Sequence, residues 1–223
     1  MENIILFGGG LHASVCVDIF EKCDKYNIVG IVDSKAEVGS ELFGYPVLGR
    51  QEDIVEIQKK YNIGAGFIAI GDNFDRKLVL DAILSLIPDF KFANAIHPSV
   101  SIGRNVKLGY GIVMMANVVI NPGAVVDNFC IFNTGVQVEH DCKIAEFCHL
   151  SPGTVTGGKV QIGRFTVITL GVTIIDRINI GENTVVGSGA VVVRDLPDNV
   201  VAYGVPARII RSRKPGEQFL KAD

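Results

Sequence analysis

A period of six residues runs through the second half of the chain, and it restricts the fold more than any other feature. Reading every sixth residue from Ile102 to Val192 gives sixteen positions, of which fourteen are aliphatic or methionine. The residues two places earlier, from Val100 to Ala190, are all small or β-branched. Amphipathic helices repeat near 3.6 residues and strands near 2, so neither alone produces this pattern.

The period is typical of a parallel β-helix, in which each face is a short strand and three faces make a turn of about eighteen residues. Both residue series are expected to point into the interior, with each turn burying its neighbours' apolar surface. An antiparallel sandwich, the alternative, needs variable spacing and recurring hairpin signals. The frame never slips over this stretch, which favours the β-helix.

The first ninety or so residues follow another rule, because short apolar runs alternate with helical patterns. We predict strands at "NIILF", "NIVGIVD" and "AGFIAIGD", and helices at "HASVCVDIFEKC", "DIVEIQKKY" and "DRKLVLDAILSLI". In the first helix, Val15, Ile19 and Phe20 are expected to face inward. This alternation predicts an α/β, Rossmann-like domain with a small parallel sheet. The predicted domains are residues 1–94 and residues 95–223, the second comprising the β-helix and a C-terminal tail.

Charge, hydropathy and cysteine usage limit the binding partners and the cellular compartment that we expect for this chain. The formal charge of -3 gives no basic field, so nucleic acid is not an expected partner. No apolar run approaches the length of about eighteen residues that a membrane span needs. The N-terminus lacks a basic leader, and five cysteines without paired spacing fit reduced thiols. We therefore expect a cytoplasmic protein without a membrane span.

The stretch "VQVEHDCKIAEFCHLSPG", residues 136–153, holds two of the four histidines and two of the five cysteines. The six-residue frame turns Cys142 and Cys148 inward, which predicts core fillers rather than zinc ligands. His140 and His149 are expected to face outward or to lie at corners. They are half a turn apart, so a single column is not expected to bring them together, whereas two adjacent columns can.

His140 is the candidate general base. Glu139 and Asp141 flank it, and either carboxylate can orient the imidazole and raise its basicity. One turn later the chain has Gly158, so we expect a gap beside the imidazole and an accessible backbone N–H. A base beside such a gap suits attack on a thioester, whose developing oxyanion needs a donor.

The glycine turn "GGGLHAS", residues 8–14, follows a predicted strand and opens a predicted helix. It fits G-x-G-x-x-A, a turn whose backbone N–H groups can bind phosphate. Asp33 ends the second strand, near where an acidic residue meets a ribose hydroxyl in dinucleotide folds. Glycine can also serve turn geometry alone, so nucleotide binding and a purely structural turn both stay open. A redox cofactor is disfavoured because the second mononucleotide-binding half is missing.

These segments, with "IVDS", "AIGDN", "IHPS" and "VAYGVPARIIR", make the chain resemble the PglD/NeuD family of hexapeptide-repeat acyltransferases. The resemblance implies a left-handed β-helix, an exception to the right-handed crossover rule. It also implies a homotrimer with active sites between adjacent columns. The implied activity is transfer of acetyl from acetyl-CoA to the amine of a UDP-, GDP- or dTDP-linked aminodeoxy sugar, for glycan or polysaccharide biosynthesis, without a metal.

The same resemblance assigns roles to individual positions. His140 would be the general base, and Asp141, where many relatives carry Glu, would raise its basicity. The positions matching acetyl-CoA contacts, together with the glycine beside the base, are His149, Gly158, Leu170 and Ser188. The positions matching nucleotide-sugar contacts are Gly10, Leu11, His12, Asp33, Ser34 and Gly71. Most relatives have glycine where this chain has Leu11, so the turn is expected to differ in shape.

Three other functions compete with this one. A sugar O-acetyltransferase, of the sialic acid type, can use the same base on a hydroxyl. A β-helical carbonic anhydrase binds zinc through three histidines, but His97, His140 and His149 lack the close i, i+5 pair of such sites. A non-catalytic nucleotide-binding module would use the column only to form a trimer, and it would bind nucleotide without binding CoA.

Overall fold

The computed structural model describes residues 1–219, which form two compact units. The first comprises residues 1–71 and 75–98, and the second comprises residues 72–74 and the chain from residue 99 onward. We predicted that residues 1–94 bind the nucleotide sugar and that residues 95–223 carry out acyl transfer. That assignment stays a prediction.

The first unit is an α/β fold around a five-stranded sheet. Its strands are β1 (Glu2–Phe7), β2 (Tyr26–Val32), β3 (Glu41–Leu42), β4 (Tyr45–Gly49) and β5 (Ala65–Ile68), and a short strand β6 (Ala95–Ile96) follows later. The helices are α1 (Leu11–Cys23), α2 (Ile54–Tyr61) and α3 (Asn73–Leu86), with a 3-10 turn at Gln51–Asp53. The sheet order is β3-β4-β2-β1-β5, parallel except for the β3–β4 pair. The predicted Rossmann-like topology is confirmed.

Helix α1 connects β1 to β2 and packs through one apolar stripe. Ile19 and Phe20 are each 1% exposed, as predicted. Val15 is 38% exposed, so its predicted inward orientation is wrong. The reason is the helical period: the buried stripe includes Ala13 and Cys16, and residue 15 lies to one side of it.

The second unit is the parallel β-helix predicted from the six-residue period, and it is left-handed, as the family resemblance implied. Its two-residue strands are β7 (Ser101–Ile102), β8 (Lys107–Leu108), β9 (Val113–Met114), β10 (Val119–Ile120), β11 (Val125–Val126), β12 (Ile131–Phe132), β13 (Gln137–Val138), β14 (Lys143–Ile144), β15 (His149–Leu150), β16 (Val155–Thr156), β17 (Gln161–Ile162), β18 (Val167–Ile168), β19 (Thr173–Ile174), β20 (Asn179–Ile180), β21 (Val185–Val186) and β22 (Val191–Val192). A hairpin of β23 (Val200–Tyr203) and β24 (Arg208–Ser212) follows.

These strands form three parallel sheets, which are the faces of the column. The first face contains β7, β10, β13, β16, β19 and β22. The second contains β8, β11, β14, β17 and β20, and the third contains β9, β12, β15, β18 and β21, extended by β23 and β24. Each strand pairs with the strand one full turn away, as in Val119 with Gln137. Residues one turn apart therefore stack, at about 4.8 Å spacing.

The interior is filled by the two predicted series. The larger series is buried from Met114 to Val192, whereas Ile102, in the first turn, is 43% exposed because no turn precedes it. Cys142 and Cys148 are fully buried. Their thiols donate to the backbone carbonyls of Gly157 at 3.3 Å and Gly163 at 3.1 Å, which satisfies them inside the core.

Candidate active site

His140 lies at the corner between the first and second faces, in the turn that joins β13 to β14. Of the two flanking carboxylates, Asp141 forms the contact, with Oδ2 at 3.0 Å from His140 Nδ1. Both side chains are about half exposed. When Nδ1–H donates to the carboxylate, the lone pair on Nε2 is left to accept a proton. This arrangement can support general-base chemistry.

Gly158 lies one turn further along the same corner, and the imidazole of His140 occupies the space that a side chain there would need, so the predicted gap is filled by the base itself. A β-carbon at residue 158 would be 2.5 Å from His140 Nε2, closer than real contacts allow. The amide, however, donates to Asp176 Oδ1 at 2.7 Å. The predicted accessible N–H is therefore wrong, because the next residue of this corner column is an acceptor. Sequence reasoning missed Asp176, although its position two turns after His140 was readable.

His149 is on β15, in the third face, and its side chain points away from the column interior. The predicted outward orientation holds, but the side chain is covered, since the residue is only 7% exposed. The ring of Phe219, in the C-terminal tail, packs edge-on against it with centroids 5.4 Å apart. Nε2 lies 2.7 Å from the side-chain nitrogen of Asn133. Its role toward acetyl-CoA stays a prediction.

Leu170 and Ser188 lie at the corner between the third and first faces. Leu170 is 57% exposed, and its carbonyl accepts the Gly189 N–H at 2.8 Å, which stacks the two turns. Ser188 Oγ lies 3.2 Å from Thr169 Oγ1. The two residues form an exposed ledge along the column. Because this ledge and His140 border opposite edges of the first face, one column does not bring them together.

The glycine turn of the first unit follows β1. Gly8 has φ of +101°, and a β-carbon there would lie 2.8 Å from Ile70, so both conformation and space require glycine. Gly10 is the N-cap of α1 and is exposed. Leu11, the first helical residue, is 89% exposed, so its side chain projects into solvent.

Asp33 follows β2 and holds this turn in place. Its Oδ2 accepts the Gly9 N–H at 2.7 Å, and Oδ1 accepts the N–H groups of Lys35 and Ala36, each at 2.8 Å. Partial burial raises the pKa of the Asp33 carboxyl, but these amides and the charge of Arg50 outweigh burial and lower it overall. The carboxylate is therefore a structural clamp on the turn, which sequence reasoning missed.

His12 and Gly71 are neighbours in the first unit, since a β-carbon at Gly71 would lie 3.9 Å from His12 Cγ. Burial, and secondarily the charge of Arg76, lowers the pKa of His12 to about 4, so the imidazole is neutral at pH 7. Asp33 and the exposed Ser34 line a small cavity of about 70 Å³ beside the ends of β1 and β2. The predicted sugar-binding positions thus lie near the carboxyl ends of parallel strands, where ligands of such sheets bind.

Within residues 1–219, no group of three or more His, Cys, Asp or Glu side chains is arranged to hold a metal ion. None of the helices in that part of the chain is both long and apolar enough to cross a bilayer.

Comparison with known proteins gives both a domain match and full-length structural matches. Residues 3–83 match the PglD N-terminal domain. A mutant of perosamine N-acetyltransferase from Caulobacter crescentus, in complex with CoA and GDP-perosamine, is 36% identical, with a TM-score of 0.87. That match covers 95% of this chain and 98% of the other.

Two further structures share the architecture. The acetyltransferase domain of PglB from Neisseria gonorrhoeae is 28% identical over 94% of this chain and 100% of that one, with a TM-score of 0.85. WeeI from Acinetobacter baumannii is 22% identical over 94% of this chain and 100% of that one, with a TM-score of 0.74, which shows the shared fold. With more than a third of its residues identical to perosamine N-acetyltransferase over nearly the whole length, and with a PglD N-terminal domain, the chain belongs to the PglD-type family of nucleotide-sugar acetyltransferases.

Proposed function

We propose that this enzyme transfers acetyl from acetyl-CoA to the amino group of a nucleotide-linked aminodeoxy sugar. The observation that carries the proposal is the imidazole of His140, bonded to Asp141 and placed over the side-chain-free Gly158. Support comes from the 36% identical relative, which was crystallised with CoA and GDP-perosamine. A nucleotide sugar with a primary amine is accordingly the proposed acceptor.

The proposed reaction is direct transfer. The amine nitrogen attacks the thioester carbonyl carbon while His140 Nε2 takes one proton from that nitrogen. The C–S bond then breaks, the nitrogen keeps the acetyl group as an amide, and the sulfur of CoA receives the proton from the imidazolium. Asp141 stabilises the charged imidazolium through its bond to Nδ1. No acyl-cysteine is needed, since Cys142 and Cys148 are fully buried in the column.

We propose that the working form is a homotrimer with each site shared between two columns. The support is geometric: His140 and the ledge of Leu170 and Ser188 border opposite edges of one face. A second copy must therefore bring its ledge to this chain's His140. Acetyl-CoA is proposed to lie along the ledge of that copy, in contact with its His149, Leu170 and Ser188, and to reach Gly158 beside this chain's His140.

We propose that the first unit binds the nucleotide sugar. The proposed contacts are the residues of the glycine turn and of the neighbouring strand ends, namely Gly10, Leu11, His12, Asp33, Ser34 and Gly71. The compartment we propose is the cytoplasm, because all five cysteines are free, as in reducing environments.

The test is an assay of CoA release with acetyl-CoA and a panel of nucleotide-linked 4-amino sugars, including GDP-perosamine. We expect transfer to an amine, and we expect His140→Ala to lower it by about 10²-fold or more. Near wild-type turnover by His140→Ala would contradict the role of the base. Acetylation of hydroxyl sugars alone would indicate the O-acetyltransferase. Nucleotide binding without CoA binding would indicate the assembly module.

A further inference from the structure

Asp176 converges with His140 on the same glycine. Asp176 Oδ1 accepts the Gly158 N–H at 2.7 Å, and His140 Nε2 lies 2.5 Å from the position of a β-carbon at residue 158. A β-carbon is about 2.5 Å from its own backbone nitrogen, so the carboxylate oxygen and Nε2 are at most about 8 Å apart. One amine nitrogen that makes two hydrogen bonds of about 2.9 Å can join atoms up to about 6 Å apart, a separation that this upper limit allows.

The side-chain oxygen that accepts the Gly158 N–H, which we call the amide cap, does not have to be negatively charged. At another corner the Glu182 N–H donates to Asp198 Oδ1 at 2.7 Å. At a third position the Tyr110 N–H donates to the neutral side chain of Asn128 at 3.0 Å. An asparagine side chain can therefore accept such an amide hydrogen bond as well as an aspartate can. The charge at residue 176 is not needed for the amide cap.

Among these capping residues, Asp176 is the one that converges with the proposed base. Asp176 lies one turn beyond Gly158 and His140 lies one turn before it, so the carboxylate and the imidazole flank this glycine from opposite sides. Asp141 already holds the far side of the imidazole through Nδ1. Gly158 is thus flanked by a proton acceptor on one side and a carboxylate on the other.

We infer that Asp176 positions the acceptor amine against His140 and makes the site prefer an amine over a hydroxyl; the inference rests on the proposed N-acetyltransferase function. An amine nitrogen becomes cationic as it attacks the thioester, and its N–H groups donate to the carboxylate while the charge develops. Hydrogen bonds between charged partners are roughly twice as strong as neutral ones. The proton released by nitrogen goes to His140 Nε2, and Asp176 accepts a hydrogen bond without taking a proton in the step.

The specificity follows from valence. Once a primary amine has donated a proton to His140, nitrogen still carries hydrogen that the carboxylate can accept. A hydroxyl has a single hydrogen, which the base takes. Its oxygen then has no hydrogen to donate, and its lone pairs are repelled by the carboxylate. The same negative charge therefore assists an amine and opposes an alkoxide-like oxygen.

The decisive variant is Asp176→Asn, which keeps the amide cap and removes the charge. Its matched control is Asp198→Asn, which makes the same change at a corner away from His140. We expect Asp176→Asn to lower kcat/KM for GDP-perosamine by about 10-fold or more, as the loss of a charge-assisted bond implies. Asp198→Asn should stay within about 2-fold, and both variants should keep the wild-type melting temperature and CoA affinity.

A binding measurement separates positioning from fold. By calorimetry near pH 7, Asp176→Asn should weaken binding of GDP-perosamine, but not of the corresponding GDP sugar with a hydroxyl in place of the amine. Equal losses in both variants, or an unchanged kcat/KM in Asp176→Asn, would overturn the inference while leaving the proposed function intact. A wild-type enzyme that acetylates none of the amino sugars would instead overturn the proposed function, and the inference with it.

Discussion

The imidazole of His140 lies so close over Gly158 that a β-carbon at residue 158 would come within 2.5 Å of Nε2. We therefore expect Gly158→Ala to displace the imidazole and lower acetyl transfer by about 10-fold or more. Gly158 does not have a left-handed φ, so alanine suits the backbone there. The nearest obstacle is a half-exposed side chain, so the free energy of unfolding should change by less than about 1 kcal/mol.

The measurement pairs steady-state kinetics with denaturant unfolding of the same protein. Full activity in a stable Gly158→Ala protein would show that the imidazole position is not critical. A large loss of stability would show that the clash is relieved through the backbone rather than through His140.

Asp141→Asn tests the carboxylate that holds His140. Asparagine tolerates the left-handed conformation of residue 141, where φ is 58°, so the fold should be retained. Without the negative charge the imidazolium formed during transfer is less stabilised, and we expect kcat/KM to fall by about 10-fold. Glu139→Gln is the matched control, because the Nδ1 bond is made by the other flanking carboxylate. Equal losses in the two variants would argue against a specific role for Asp141.

Cys142→Ala and Cys148→Ala test whether a thiol carries the acetyl group. Both thiols are buried and bonded to backbone carbonyls, and burial raises the pKa of Cys142 further from the reactive range. Each variant should lose about 1–2 kcal/mol of unfolding free energy and keep its turnover per folded molecule. A Cys142→Ala enzyme that is folded yet inactive would indicate an acyl-enzyme instead.

His12 should make the protein sensitive to acid. Its folded-state pKa is lowered from 6.5 to about 4 by burial and by the charge of Arg76, so at pH below 6.5 the unfolded chain binds a proton that the native protein does not. Stability is then lost as pH falls from about 6.5 to 4, by about 3 kcal/mol in total for this group. Denaturant unfolding at several pH values should show this slope, and His12→Gln should reduce it. An unchanged slope would assign the acid sensitivity to other groups.

Leu11→Ala tests the departure from the usual glycine turn. The side chain is 89% exposed, so its removal should leave the melting temperature unchanged. If the turn binds the nucleotide sugar as proposed, KM for that substrate should change by about 3-fold or more while KM for acetyl-CoA stays constant. Constant values for both substrates would place the Leu11 side chain outside the binding site.

The β-helix was predictable because its core repeats. Each turn must fill the same triangular interior, so the constraint recurs every six residues and leaves Val138 and Ile144 in register with positions many turns away. The same counting placed Gly158 beside His140, since stacking by one turn follows directly from the period.

Other parts of the site depend on contacts that no period encodes. Asp176 reaches the Gly158 amide through a side-chain rotamer, and the position of Phe219 over His149 depends on the path of the tail after β24. In the first unit, the residue type at position 33 suggested a ligand contact. The structure adds that Asp33 accepts hydrogen bonds from the amides of its own turn, while its contact with a ligand stays a prediction.

Because the turns stack in parallel, distance along the column axis increases by the same amount with every turn. Positions one turn apart, such as Leu170 and Ser188, are separated along the axis by one strand spacing of about 4.8 Å. Removing or adding a complete turn between two functional positions would change their axial separation by one strand spacing. Every residue would stay at the same corner of the column. In this architecture, the number of turns between two contact positions sets the length of extended co-substrate that they accommodate. The side chains along those turns do not change that length.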